Sequence, residues 1–318
     1  MCLKRILILC FFFCLQAGAF AQYRWDFGVS LGASNYLGEI GGMEQTRRDF
    51  IFDMKLNRTQ YVFGGFARYK LSPQLAANFG VHYGRIRGND FNSLNPARVA
   101  RNLSFRNDIL EFSLRGELTL FYDNDASGRG FYNPDFRVYG FMGVALFHHN
   151  PKARYYGEND DLRGEMIELR ELQTEGVSYG NWEIGIPAGI GLFFTFNKVH
   201  RIGWEFGYRF TFTDYLDDIS TVYVEHEPGT VAYEMANRTT PEALQRAQQL
   251  AAQQGVDVPN AESFEPGNKR GDPTNNDGYL FTQFTYSYVL PGRSSFAKRK
   301  FSYLKGKKRV RRKTRAKF

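Results

Sequence analysis

After residue 14 the sequence contains no cysteine, because Cys2, Cys10 and Cys14 are the whole complement. A disulfide framework and a thiolate metal site are therefore both excluded from the rest of the chain. No stretch beyond residue 21 holds 18 uninterrupted apolar residues, so transmembrane helices are excluded as well. Histidine is sparse, at five residues, and acid is missing altogether from the segment 293–318. A fold of this size must take its stability from something other than cross-links or a bundle of membrane helices.

What is present begins with an address. Lys4 and Arg5 form a short basic region, Ile6 to Leu15 are apolar apart from the cysteines, and Ala19-Phe20-Ala21 supplies the small-x-small pattern of a cleavage site. Residues 1–21 are expected to be a signal peptide, with the mature chain starting near Gln22. A lipoprotein signal using Cys14 is the competing reading, but Phe11, Phe12 and Phe13 stand where small residues are wanted.

The chain is rich in Phe (30), Tyr (19) and Gly (32). That mixture suits strands whose aromatic side chains face lipid, with glycine where backbones bend or pack closely. Charge is split. The segment 293–318 carries 13 Lys or Arg, whereas residues 22–292 hold 26 bases against 33 acids, a net −7.

Windows that alternate apolar with polar or small residues carry the signature of transmembrane strands. Arg201 to Thr213 is the clearest: Ile202, Trp204, Phe206, Tyr208, Phe210 and Phe212 share one face, and Arg201, Glu205 and Arg209 lie on the other. A soluble half-buried strand has no use for so large an apolar face beside buried ions. Lipid outside and ion pairs inside a narrow barrel explain both faces. The same rule finds Arg24 to Tyr36, Gln60 to Leu71, Gln74 to Arg87, Phe105 to Phe121, Phe136 to His148, Asn181 to Phe196 and Tyr279 to Leu290. Pro187 removes a ladder donor, so a bulge or a locally open edge is expected there.

Connection lengths alternate. Roughly 20, 17, 32 and 65 polar residues follow strands one, three, five and seven, as extracellular loops do. Ser72-Pro73, the stretch Tyr122 to Asp135, and Asn197 to His200 are the shorter turns. The fold expected is all-β: an outer-membrane barrel of about eight antiparallel strands over 22–292, with both ends in the periplasm. In the last loop, 214–278, Thr240 and Pro241 open a helix that runs to about Gln254 before Gly255. An inserted four-strand domain is the alternative for that loop.

Candidate chemistry is thin. Asp26, Glu111, Glu117, Glu183 and Glu205 point inward with Arg68, Arg115, Arg137 and Arg209. Eight strands leave an interior just wide enough to be filled by side chains, so these read as a paired plug rather than a path. His148 and His149 are adjacent on a strand and point to opposite faces, which suits no single ion. Asp160-Asp161 and Asp217-Asp218 lack the spacing of a calcium loop and read as solvated acidic loop residues. His82, Ser104 and Glu111 are the types a lipid-modifying barrel needs, yet no nucleophile motif surrounds Ser104. No catalytic, cofactor or metal site is expected. Export removes nucleic acid as a partner of the basic tail 293–318, leaving acidic proteins, peptidoglycan carboxylates or anionic lipid headgroups, with a disordered, solvated tail as the equal alternative.

Six stretches carry a family resemblance: ASNYLGEIGG (Ala33 to Gly42), LSFRNDILEFSLRGELTLF (Leu103 to Phe121), FRVYGFMGVALFHHNPKA (Phe136 to Ala153), IGIPAGIGLFFTFN (Ile184 to Asn197), FTDYLDDISTVYV (Phe212 to Val224) and RGDPTNNDGYLFTQFTYSY (Arg270 to Tyr288). In content and order they resemble the Bacteroidetes outer-membrane barrels that include the PorG component of the type IX secretion system. That resemblance implies a non-catalytic accessory of protein secretion, tying a periplasmic ring of PorK- and PorN-like proteins to the outer membrane. A surface barrel whose acidic loop meets an extracellular ligand is the rival reading; that loop has 12 acids against 4 bases.

Overall fold

The computed structural model describes residues 24–40, 58–123 and 135–290. The segment 1–21 expected to be a signal peptide, the basic tail, most of the first loop and most of the turn after strand four lie outside the described residues.

Eight long strands form the barrel: β1 (Trp25–Leu37), β2 (Gln60–Lys70), β3 (Leu75–Asn89), β4 (Ser104–Asp123), β5 (Asp135–His148), β8 (Trp182–Phe196), β9 (His200–Thr211) and β10 (Gly278–Val289). Every neighbouring pair is antiparallel. β10 pairs with β1, as at Ser30↔Thr285, and β3 pairs with β4, as at Val81↔Phe112, so the sheet closes without an edge. Each strand ends within two residues of the boundary expected from alternation. Two short additions were not legible: β6 (Pro151–Arg154) pairs with the far end of β4, and β7 (Met166–Glu168) pairs with β6.

Alternation places the side chains. Leu31, Leu114, Val144, Ile184, Ile190 and Phe284 all point outward and are more than half exposed, Phe284 by 71%. In water each would forgo about 1.5–3 kcal/mol of burial; in a bilayer none does. Aromatic pairs rim the belt at one end, with Trp25 4.8 Å from Tyr69 and Phe136 4.6 Å from Phe194. Tyr61, Trp182 and Phe210 are among those toward the other. Among the described residues no helix is long and apolar enough to cross a membrane; the strands cross it.

The two ends differ. At the turn end lie Trp25, Val289 and the connections 71–74 and 197–199. At the loop end, residues 90–103, 149–181 and 212–277 fold into a cap. Helix α1 (Pro96–Arg101) packs on α4 (Pro241–Gln254), joining Val99, Ala100, Tyr223, Ala247 and Phe264 in one cluster. Helices α2 (Leu169–Leu172) and α3 (Val231–Ala236) bring Leu169 and Met235 against Ala153 and Tyr155. Helix α4 starts where the Thr240-Pro241 signal placed it: Thr240 Oγ1 accepts from Ala243 N at 3.2 Å, and Gly255 (φ 66°) ends the helix. In place of an inserted sheet, this loop has one isolated bridge, Val222↔Lys269.

Pro187 leaves a gap opposite Gly143 and Val144, but the register with β5 is the same on both sides of it. The register shift in the barrel is instead between Thr119 and Phe121, where Leu120 is extra in β4. A missing donor interrupts a ladder; only an inserted residue shifts it.

Candidate functional site

The lumen is solid. Near the turn end Arg68 is the hub: Nη1 lies 3.0 Å from Asp26 Oδ2, Nε 2.6 Å from Glu117 Oε2, and Nη2 3.5 Å from Glu205 Oε1. Arg201 also pairs with Asp26, and Arg115 Nη1 lies 2.9 Å from Glu205 Oε2. Asn78 Nδ2 donates to Glu117 Oε1 at 2.6 Å. Tyr139, Phe141 and Phe193 fill the space between these ions. Gly189, Gly191 and Gly207 make room for two of those rings, since a Cβ at any of them would collide with Phe141 or Tyr139. Further along, Arg209 Nε lies 3.0 Å from Glu111 Oε2, which also accepts from Tyr279 OH at 2.9 Å. Four acids (Asp26, Glu111, Glu117, Glu205) thus face four guanidinium groups (Arg68, Arg115, Arg201, Arg209), and the interior is electrically balanced. Two expected members are elsewhere. Glu183 is half-buried at the loop end, and Arg137 sits at the turn end, where its Nε pairs with Asp135 Oδ1 at 2.9 Å.

Above the ions the lumen turns apolar. Val62, Ile86, Ile109, Phe147, Tyr279 and Phe281 form the stopper, and Leu216 and Ile219 of the FTDYLDDISTVYV segment press into it from the cap. Two buried polar knots hold that segment down. In the first, Tyr36 OH stands 2.6 Å from both Asp217 Oδ2 and Asp277 Oδ1, while Glu39 N donates to it at 3.0 Å. One hydroxyl proton cannot serve two carboxylates, so the arrangement calls for a protonated acid. Burial, with Asp277 and Glu39 nearby, pushes Asp217 well above the usual carboxylate range. In the second, Arg270 Nη1 lies 2.9 Å from Glu175 Oε1 and Nη2 3.6 Å from Asp218 Oδ2. Asp218 also accepts from Thr174 Oγ1 at 2.5 Å and from Tyr179 OH at 2.7 Å.

Asp217 and Asp218 are therefore not solvated loop acids: both are 1% exposed. Glu175, Arg270, Tyr36 and Asp277, which complete the knots, gave no local signal because their partners are distant in sequence. Asp160 and Asp161 are exposed, and Asp160 pairs with Arg163 at 3.3 Å. His148 and His149 do point apart. His148 packs edge-on against the outward Trp182, whereas His149 is buried and stacks on Tyr179, which stacks on Tyr215. Burial brings His149 down to about 4, helped by His148 and Arg170. His82 Nδ1 lies 3.7 Å from Glu111 Oε1, both buried. Ser104 is seven residues from Glu111 along β4, about 23 Å at strand rise, and its Oγ accepts from Arg238. The three residues do not meet. The cap also holds a cavity of about 760 Å3 beside Glu39, Arg98, Arg101, Lys269, Arg270 and Asp272.

Closed pairing, an apolar exterior and a filled, charge-balanced lumen define an eight-stranded barrel of the outer-membrane class. The chain belongs to a family described as a domain of unknown function (DUF6089), which matches residues 4–226. Solved structures with a similar barrel include the N-terminal domain of Pseudomonas aeruginosa OprF, at 9% identity over 83% of this chain and 97% of that one, with a TM-score of 0.31. A major outer membrane protein of Thermus thermophilus is 14% identical over 84% and 99%, TM-score 0.37. Yersinia pestis Ail, crystallised with the heparin analogue sucrose octasulfate, is 9% identical over 84% and 98%, TM-score 0.33. These likenesses are too distant to say anything of function. No curated protein matches the chain significantly in sequence.

Proposed function

We propose that this barrel is a non-catalytic, structural component of a type IX-like protein secretion machine, linking a periplasmic ring to the outer membrane. The observation that carries the reading is the sealed lumen: a barrel plugged by ion pairs at one end and by Leu216 and Ile219 at the other works through its ends. In this reading the turn end and the tail 293–318 face the periplasm, and the cap faces outward, as alternating connection lengths imply. The resemblance of FTDYLDDISTVYV and the other five stretches to PorG-like barrels names the machine and its PorK- and PorN-like partners. A tagged full-length protein, solubilised from outer membranes in mild detergent, is expected to bring those ring proteins with it. Recovery of the barrel alone, from membranes that contain the ring, overturns the reading.

The cap cavity favours a second reading, a surface barrel that binds an extracellular ligand. Absence of ring proteins, together with loss of ligand binding on Arg98→Gln, would decide for it.

A further inference from the structure

Beside the balanced ions of the lumen, one more cation stands at the turn end among the described residues. At the turn end a small cavity of about 30 Å3 is lined by Lys70, Pro73, Gln74, Thr119, Arg137 and Arg201, with Arg68 and Glu117 at its floor. Arg68 and Arg201 are paired with Asp26, and Arg137 with Asp135. Arg137 also donates to Pro73 O at 3.2 Å, which fixes the cavity's lip. The ammonium of Lys70 has no ion pair and no hydrogen bond among the described residues, although it is half-buried; it feels Arg137 and Arg201, and against them the Asp135 carboxylate, which is itself paired with Arg137. A half-buried cation that faces two guanidinium groups and only a shared carboxylate gains from an anion of its own.

The geometry points to a socket: the turn-end cavity receives one carboxylate from a periplasmic protein, with Lys70 as its counter-charge and Arg137 beside it. The opening has room for little more than a water molecule's share of liquid, which suits the tip of an Asp or Glu side chain. It opens inside the barrel wall, whereas lipid headgroups gather around the outer girdle of Trp25, Tyr69 and Phe194. The inference rests on the turn end facing the periplasm, as in the reading above, and it adds the chemistry of the contact: an acidic protruding residue on the partner.

Carbodiimide coupling in outer-membrane preparations of the full-length protein tests this. The reagent activates a carboxyl group, and an amine in direct contact displaces it to form an amide. The expected product joins Lys70 to an Asp or Glu of another, periplasmic protein, identified by mass spectrometry. Lys70→Arg should abolish that amide while keeping the partner in a pull-down. Lys70→Gln with Arg137→Gln should lower the partner's retention by about tenfold, with the barrel still folded by its heat-modifiable migration. An amide from Lys70 to this chain's own carboxylates, to a second copy of the chain or to a peptidoglycan peptide overturns the proposal, as does an unreacted Lys70. Failure of the secretion reading looks different. A Lys70 amide to a protein outside any secretion ring keeps the socket and removes that reading. Ring proteins that co-purify without the amide do the reverse.

Discussion

The two halves of the lumen are sealed by different physics. The turn half is held by ion pairs that need no proton, since each of Asp26, Glu117 and Glu205 has a guanidinium within reach of a hydrogen bond. The loop half is held by an apolar stopper and by acids set against acids: Asp217 and Asp277 meet at Tyr36. The first half is built into the strands, whereas the second is delivered by a loop that must fold onto the finished barrel. The turn half should therefore be insensitive to mild pH change and sensitive to loss of any one charge. The cap should behave in the opposite way.

The largest effect is expected from Arg68→Met. It leaves Glu117 without its ion-pair partner and takes one of two guanidinium groups from Asp26 and from Glu205, and breaking a buried pair costs about 3–5 kcal/mol. Urea titration of the heat-modifiable folded band measures it; a cost below 1 kcal/mol would dissolve the contrast between the halves. Trp204→Asp comes next. Trp204 faces outward in mid-strand, its Nε1 donating to Thr282 Oγ1 at 2.9 Å, and a charge at that depth costs about 2 kcal/mol. Asp218→Ala should cost nearly as much, because it leaves Thr174 and Tyr179 without a buried acceptor and Arg270 with Glu175 alone. Its effect should appear as protease sensitivity of 212–277, with the barrel intact.

The pH dependence of the cap has two signs. His149 is held near 4 when folded and returns to about 6.5 when released. Between those values the open chain binds more protons, so the cap loses stability as pH falls through that window, by at most about 3 kcal/mol. Asp217 is raised, so its contribution is complete below the ordinary carboxylate range and is lost as pH rises through its folded value. Hydrogen exchange across 212–222 should show a protection maximum between the two, with strands β2 and β3 unchanged. Thr240→Ala is the smallest effect, about 1 kcal/mol confined to α4.

The same division explains what was legible in the sequence. Strands declare themselves through a period of two that each carries alone, so β9 could be read from Ile202 to Phe212 without its neighbours. Parity then placed Glu205 and Arg209 inside. The cap has no such local rule. Arg270 meets Glu175 across 95 residues and Tyr36 meets Asp277 across 241, and nothing in DD at 217–218 distinguishes a buried pair from a solvated one. Four-residue β6 and three-residue β7 are too short to show alternation. Lys70 was invisible for another reason, since an unpaired charge can be recognised only after the others have been paired.

Single-channel recording of the full-length protein in planar lipid bilayers tests the sealed lumen most directly. At pH 7 the account predicts no conductance steps. At pH 4.5 it again predicts none, even where protease shows the cap released, because the Arg68 plug does not depend on the cap. Stable ohmic steps at pH 7 would contradict the filled lumen outright. Steps that appear only when the cap opens would show that the loop half alone closes the barrel.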